Sequence, residues 1–429
     1  MRTFAIKTFG CRASQADGAA LESLLANNGF AADSNEPDFF ILNTCTVTSA
    51  ADEEVRQTVR KVHRENPNTR IVVTGCYAQR APEEIASLSG VSLVIGNSHK
   101  TQLAELLADP SADFHGEVHV GDIFAQHEFL ASPVEAAGID RSRPNLKIQD
   151  GCNNRCSFCI IPFVRGRSRS APVQQIVEQV RDLSARYREV VLTGINLGRW
   201  GREPGSSLRL ADLLRILLEQ TEIGRLRLSS VEPMDFSDSL LRLMADSQRI
   251  ARHVHAPLQS GSDTVLRRMH RKYRPHHYED RIWKAREWMP DAAIGADVMV
   301  GFPGETDAEF EQTRSFIEKL PFTYLHIFPY SERPGTPAAA RQDQVPPMVR
   351  RQRGRILKDL ALAKNAAFRR SMLNRTLPAV TLQNPAFAMT TNYLKVELTS
   401  PHEPRELIEV AIGGVSESGL CERAAFPIF

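Results

Sequence analysis

Cys152, Cys156 and Cys159 place three thiols within eight residues, in C-x3-C-x2-C order, with no fourth cysteine nearby. Whatever fold forms must present this loop to one shared ligand. An iron–sulfur cube takes four ligands, normally cysteine thiolates, so three thiols leave one iron open to a group that is not protein. The other reading is a zinc knuckle. Zinc sites usually close to four protein ligands built from cysteine or histidine pairs, and no partner follows at knuckle distance. The spacing favours the cube.

Three more cysteines repeat the theme over a longer span. Cys11, Cys45 and Cys76 each end an apolar, β-rich run, Phe4 to Gly10, Phe39 to Thr44 and Ile71 to Gly75. Helical patterns, Ala19 to Asn28 and Ala50 to Glu65, separate the runs. Strands alternating with helices predict a parallel sheet. Its strands all point one way, so their carboxyl ends share the edge where ligands bind in open α/β folds. The three distant thiols should converge there as a second three-ligand site. Three buried free cysteines are the plainer alternative, since free cysteine is often a core residue. Cys421 stands alone and reads as a packed thiol.

At 429 residues the chain is too long for one compact core and should form two or three domains. With 42% hydrophobic and 24% charged residues, its composition is that of an ordinary globular protein. Seven cysteines in this length do not make a secreted disulfide framework. No apolar run approaches the ~20 residues that span a bilayer, and the start, Met1 to Lys7, reads as a strand and not as a signal peptide. These features predict a cytoplasmic protein with no membrane partner.

The motifs jointly resemble the methylthiotransferases of the radical S-adenosylmethionine (SAM) family, which add a methylthio group to tRNA adenosines or to a ribosomal protein. The resemblance spans nearly the whole chain. It is carried by Thr8 to Cys11, Asn43 to Thr48, Val73 to Gln79, Cys152 to Cys159, Pro257 to Ser262, Val300 to Thr306 and Tyr330 to Ala338. The sequence departs from the family at Ser14, where asparagine is usual; serine should still cap the following helix.

The fold class expected is α/β in three parts. Residues 1–115 form a Rossmann-like parallel-sheet domain, with a helix near Lys100 to Ala108, and 116–138 form a connector poor in periodicity. Residues 139–370 carry six strand–helix units, with strands at 145–149, 189–193, 225–229, 253–258, 293–300 and 324–328. By resemblance these build a partial (β/α)6 radical SAM barrel, with functional groups on loops at the strands' carboxyl ends. Residues 372–429 alternate in a β pattern, at 390–398 and 407–412, and resemble a small RNA-binding β-barrel of the TRAM type.

The resemblance implies two 4Fe-4S clusters and SAM as cofactors. Cys152, Cys156 and Cys159 would hold the cluster that binds and cleaves SAM, the catalytic step, yielding a 5′-deoxyadenosyl radical. Cys11, Cys45 and Cys76 would hold the second, whose open iron carries the sulfur to be delivered. Gly194 and Gly301, in turns at strand ends, let backbone approach a ligand closely. With Asn196, Glu232 and Gln259 they are the candidate SAM contacts; tight connections and solvated loops are the ordinary roles for such positions. Phe158 is a candidate shield for the cluster, or simply loop packing.

A net charge of +2 argues nothing about nucleic acid, but local clusters do. Arg165, Arg167 and Arg169 follow the cysteine loop. Arg267, Arg268, Arg271, Lys272 and Arg274 follow Gln259, and Arg350, Arg351, Arg353, Arg355 and Lys358 share a helical stretch. Such patches neutralise phosphates, although a helix face paired with acids has the same pattern. Asn43 to Thr48 and Gly75 to Gln79 look most like the enzymes acting on threonylcarbamoyl-adenosine beside the tRNA anticodon, a loop whose bases can be splayed out. Isopentenyl-adenosine and a ribosomal-protein aspartate are the other family targets. A non-catalytic iron–sulfur RNA-binding protein and a zinc-dependent nucleic-acid protein are the readings outside it. The enzyme also implies an electron donor and a sulfur source that the sequence does not identify.

Overall fold

The computed structural model describes residues 2–33, 35–109, 115–126, 129 and 142–424. The amino-terminal part is a sheet of six parallel strands: β1 (Thr3–Thr8), β2 (Ala31–Ala32), β3 (Phe39–Thr44), β4 (Arg70–Gly75), β5 (Val91–Gly96) and β6 (Glu117–His119). Their order is β2-β1-β3-β4-β5-β6. This is a doubly wound sheet, whose chain direction switches between β1 and β3, the crevice where such sheets bind ligands. Alternate residues of each strand face opposite layers. Ile41 and Val72 pack on Leu21, Leu25 and Leu103, whereas Leu42 and Val73 pack on Val55 and Val59. Strand β6 lies in the segment that reads as connector, of which residues 127, 128 and 130–138 fall outside the described residues.

The central part is an open arc of parallel strands. β7 (Asn145–Asp150), β8 (Arg169–Ser170), β9 (Glu189–Gly194) and β10 (Arg225–Leu228) form one sheet in the order β10-β9-β7-β8. β11 (His253–His255), β12 (Ala293–Val300) and β13 (Tyr324–Pro329) form another in that order. A bridge between Leu226 and Ile250 joins the two. The six expected strands are all present; β8, an antiparallel addition at the β7 edge, is not in the sequence reading.

The amino-terminal domain closes the gap between β7 and β13. Its helix Arg12–Asn27 lies on β7, where Asn145 donates to Gln15 at 3.1 Å. On the other side, Arg333 after β13 donates to Asp52 at 2.7 Å, at the start of the helix Ser49–Glu65.

A long helix, Pro347–Ser371, leads into a closed barrel of β14 (Thr376–Thr381), β15 (Phe387–Thr390), β16 (Lys395–Glu397), β17 (Leu407–Val415) and β18 (Leu420–Glu422). Residues 390–398, expected as one strand, instead turn a corner between β15 and β16. Tyr393 takes a positive φ of 62°, and the amide of Leu394 donates to Thr390 Oγ1 at 2.9 Å. Cys421 lies on β18, within this barrel.

Glu189 at the start of β9 ties the barrel to the central arc. It is fully buried and receives Arg227 Nε at 2.7 Å, while Arg227 also donates to the carbonyls of Thr390 and Thr391 at 2.9 and 3.1 Å. Burial alone would raise its carboxyl. Arg227, Arg143 and Arg225 instead lower it to about 2 from 4.5. A depressed carboxylate pKa stabilises the fold above its unfolded value, and that contribution disappears as pH falls from about 4.5 toward 2. Glu189→Gln should cost about 3–5 kcal/mol at pH 7, because three arginines lose their anion. It should also flatten the acid limb of the stability curve, measured by denaturant unfolding between pH 7 and 3.

Candidate functional site

The three amino-terminal cysteines follow adjacent strands: Cys11 after β1, Cys45 after β3 and Cys76 after β4. They therefore line the switch-point rim that the alternation predicts. Close approach is built in at Gly10, which has φ +93°; a Cβ there would lie 2.8 Å from Cys45 Sγ. Burial pushes the Cys45 thiol up to about 12, helped by Cys76 and Cys11. Cys76 packs on Ile160 and Val164 and accepts Arg165 Nε at 3.2 Å and Asn97 Nδ2 at 3.7 Å. Ser14 does not cap. The helix begins at Arg12 with Cys11 as its cap residue, so Ser14 lies inside the first turn, where its hydroxyl accepts Arg165 Nη2 at 3.3 Å.

The central trio leaves the carboxyl end of β7 on a loop pinned at both ends. The amide of Cys152 donates to the Gly166 carbonyl at 3.1 Å, and the amide of Cys159 to the Cys156 carbonyl at 3.0 Å. Polar side chains aim at the sulfurs: Asn196 Nδ2 is 3.7 Å from Cys152 Sγ and Arg271 Nη1 is 3.3 Å from Cys156 Sγ. Burial, then Cys156, pushes the Cys159 thiol up to about 12; burial also raises Cys152. Phe158 meets Phe302 edge to face at 6.5 Å, so its ring is used in packing.

Both trios fit a cube better than a single ion. A tetrahedral zinc with Zn–S near 2.3 Å needs sulfurs roughly 3.8 Å apart. Among the described residues, the group whose ligand atoms all lie within 4.8 Å is His255, Asp297 and His326; neither cysteine trio is that tight. Ligands on separate irons spread further apart.

Arg165 ties the central arc to the amino-terminal domain and is not the phosphate contact that its arginine run suggests. It is 2% exposed and pairs with Asp17 at 2.9 Å and Asp150 at 3.0 Å while touching Cys76. Lys147 bridges the same two carboxylates, and Lys100 meets Asp17 at 3.2 Å. Arg169 also reaches Asp150, at 3.4 Å, so the two carboxylates stand among four cations. Other members of the basic runs are also engaged: Arg271 with Glu232, Arg268 with Glu309, and Arg353 with Glu305 and Asp307. Arg167, Arg351, Arg355 and Lys358 remain exposed.

The candidate SAM contacts separate into two groups. Asn196 touches Cys152, and Glu232 reaches Cys156 through Arg271, so both stand beside the central trio. Gln259 takes a φ of +64° as its amide donates to the Asp297 carbonyl at 2.8 Å. The side-chain oxygens of Gln259 and Asn196 are buried and, among the described residues, accept no hydrogen bond. Gly194 is held close by Gln149, and a Cβ on Gly301 would lie 2.4 Å from Arg350 Cγ; packing within the chain accounts for both.

A cavity of about 340 Å³ opens between Cys11 and the arc, a volume suited to a small molecule or a single base. Strands β11 to β13 supply His253, His255, Asp297, Tyr324 and His326, and the corner of the terminal barrel supplies Tyr393, stacked on His253 at 4.5 Å. Asp297 accepts His326 Nδ1 at 3.1 Å and lies 3.4 Å from His255 Nε2. Burial opposes its charge, but those imidazoles hold its carboxyl well below the usual range. A second groove, of about 520 Å³, adjoins it and is bordered by Arg12, Arg143, Phe387 and Lys395. None of these cavity residues stands out in the sequence, although His253-x-His255 and Tyr324-x-His326 have the two-residue spacing that puts side chains on one face of a strand.

Residues 146–317 match the family model described as the radical SAM superfamily, and residues 3–96 match that of uncharacterized protein family UPF0004. The chain is 37% identical over 411 residues to the threonylcarbamoyladenosine tRNA methylthiotransferase MtaB of Aquifex aeolicus, covering 95% of this chain and 99% of that one. The enzyme of the same name from Bacillus subtilis is 40% identical, over 82% of this chain and 79% of its own. A tRNA-2-methylthio-N(6)-dimethylallyladenosine synthase of Acetivibrio thermocellus is 34% identical, over 82% and 75%. In fold the chain is similar to the radical S-adenosylmethionine methyltransferase TsrM of Kitasatospora setae, with a TM-score of 0.57 at 15% identity, covering 79% of this chain and 77% of that one.

Arg165→Met removes the one cation shared by Asp17, Asp150 and Cys76. It should destabilise the metal-free protein by about 3–5 kcal/mol, the cost of breaking a buried ion pair. Chemical unfolding measures this; a loss under ~1 kcal/mol would mean the surrounding lysines suffice.

Proposed function

The chain belongs to the radical SAM tRNA methylthiotransferases, and within that family we propose that it places a methylthio group on carbon 2 of threonylcarbamoyl-adenosine next to the anticodon. One observation carries this reading. A single cavity is walled by Cys11 on one side and by Gly194, at the end of β9, on the other, two residues before the Asn196 that touches Cys152. A base in that cavity would lie against Cys11 and against the β9 end that leads to Asn196 and the central trio.

In this reading Cys152, Cys156 and Cys159 hold one 4Fe-4S cluster, and Cys11, Cys45 and Cys76 hold a second. When bound, the clusters and SAM supply the reductive cleavage of SAM and the sulfur to be inserted. The chain's part is placement. Arg271, bonded to Cys156 and Glu232, fixes a thiolate and a carboxylate in one geometry. The unpartnered oxygens of Asn196 and Gln259 are acceptors suited to the amino and hydroxyl groups of SAM. The amino-terminal domain, seated over the gap between β7 and β13, places Cys11 in the cavity wall. The groove bordered by Arg143 and by Lys395, whose ammonium lies 3.5 Å over the Phe387 ring, suits the anticodon loop.

Anaerobically reconstituted protein should carry about eight irons per chain, and changing either cysteine trio to alanine should leave about four. In cells lacking the protein, mass spectrometry of tRNA nucleosides should show methylthio-threonylcarbamoyl-adenosine disappear. Loss of the isopentenyl-type nucleoside instead would reassign the substrate.

A further inference from the structure

Among the described residues that line the cavity beside Cys11, Arg12 is the only lysine or arginine. Its guanidinium donates to Asn145 Oδ1 and to the Tyr393 hydroxyl, both at 3.2 Å and both neutral. Elsewhere buried arginines meet carboxylates: Arg165 with Asp17, Arg227 with Glu189, Arg333 with Asp52. Arg12 has no such partner among the described residues. The one acid in the cavity, Asp297, is occupied by His326 and His255.

The position of Arg12 makes this vacancy significant. It is the first residue of its helix, directly after Cys11, and it borders both the cavity and the adjoining groove. Its charge is felt inside: His253 is kept neutral first by burial, then by Arg227, His255 and Arg12. Asn145 and Tyr393, one from β7 and one from the terminal barrel, hold the guanidinium from two sides and leave its remaining donors unassigned. A planar, pre-positioned fork of donors with no internal anion is built for an external carboxylate.

The two candidate nucleosides differ in that group. A threonylcarbamoyl substituent ends in a carboxylate and an isopentenyl substituent is hydrocarbon. Resting on the methylthiotransferase reading above, we infer that Arg12 is a specificity-determining residue that binds the carboxylate of the adenosine's N6 substituent. Asn145 and Tyr393 are its positioning residues. An RNA phosphate is the competing anion, and it is common to all substrates.

The test compares two anticodon stem-loops of identical sequence, one bearing threonylcarbamoyl-adenosine and the other its threonine methyl ester, with the reconstituted full-length enzyme. Wild type should favour the acid by roughly 10–100-fold in kcat/KM, mostly through KM, as expected for a charge-assisted bond. In Arg12→Gln that ratio should fall to about one, and Arg12→Lys should retain part of it. Equal use of acid and ester by wild type overturns the inference while leaving the substrate assignment intact. So does an acid preference that survives in Arg12→Gln, or an equal loss on both substrates, which would mark Arg12 as a phosphate contact or a structural residue. Wild type that ignores both loops and modifies an isopentenyl-adenosine loop overturns the substrate assignment itself, and the inference with it.

Discussion

The buried ion network around Arg165 is the interaction on which the rest of the structure depends. Asp17 comes from the amino-terminal domain, and Lys147, Asp150 and Arg165 from the start of the central arc. Taking five charges out of water is expensive unless each is satisfied in good geometry. This network tolerates one relative placement of the two domains. Slide the helix Arg12–Asn27 along β7 and Asp17 leaves Lys147 and Arg165, its two partners in the central arc. The network thus fixes the separation of the two cysteine trios, and Arg165 itself touches Cys76.

The cavity follows from that placement. The arc of six parallel strands leaves a seam between β7 and β13, its β7 edge met only by the two residues of β8, and an open barrel seam is a liability unless something covers it. Here the cover is itself a domain bearing thiols. Seating it brings Cys11 and Arg12 into the wall of a space whose other walls are strand interiors. The terminal barrel contributes through one corner, where the positive φ of Tyr393 turns its ring onto His253. Three separately folded units therefore share one small volume.

Much of this was legible in the sequence, for a physical reason. Strand–turn–Cys repeats encode both the sheet and its ligand edge, because a parallel sheet collects its carboxyl ends. The loop of Cys152 to Cys159 carries its spacing in one short stretch. Charge runs were less readable. Arg165 and Arg271 lie in basic segments, yet Arg165 is buried against Asp17, 148 residues away, as well as Asp150, and Arg271 against Glu232, 39 residues away. Only the tertiary fold supplies those partners. Ser14 reads as a cap because it precedes a helical pattern, but the cap position falls three residues sooner, at Cys11. The triad of His255, Asp297 and His326 is spread over three strands and meets only when the arc curves.

The lid over Cys76 has a consequence for biosynthesis. Ile160, Val164 and Arg165, which cover that sulfur, lie more than eighty residues downstream of it. During translation at ~5–20 residues per second, the amino-terminal sheet can gather its three thiols on the order of ten seconds before its cover leaves the ribosome. In that interval the nascent thiols face the solvent together, open to an oxidant. The order of segments along the gene thus sets how long Cys76 waits for its cover.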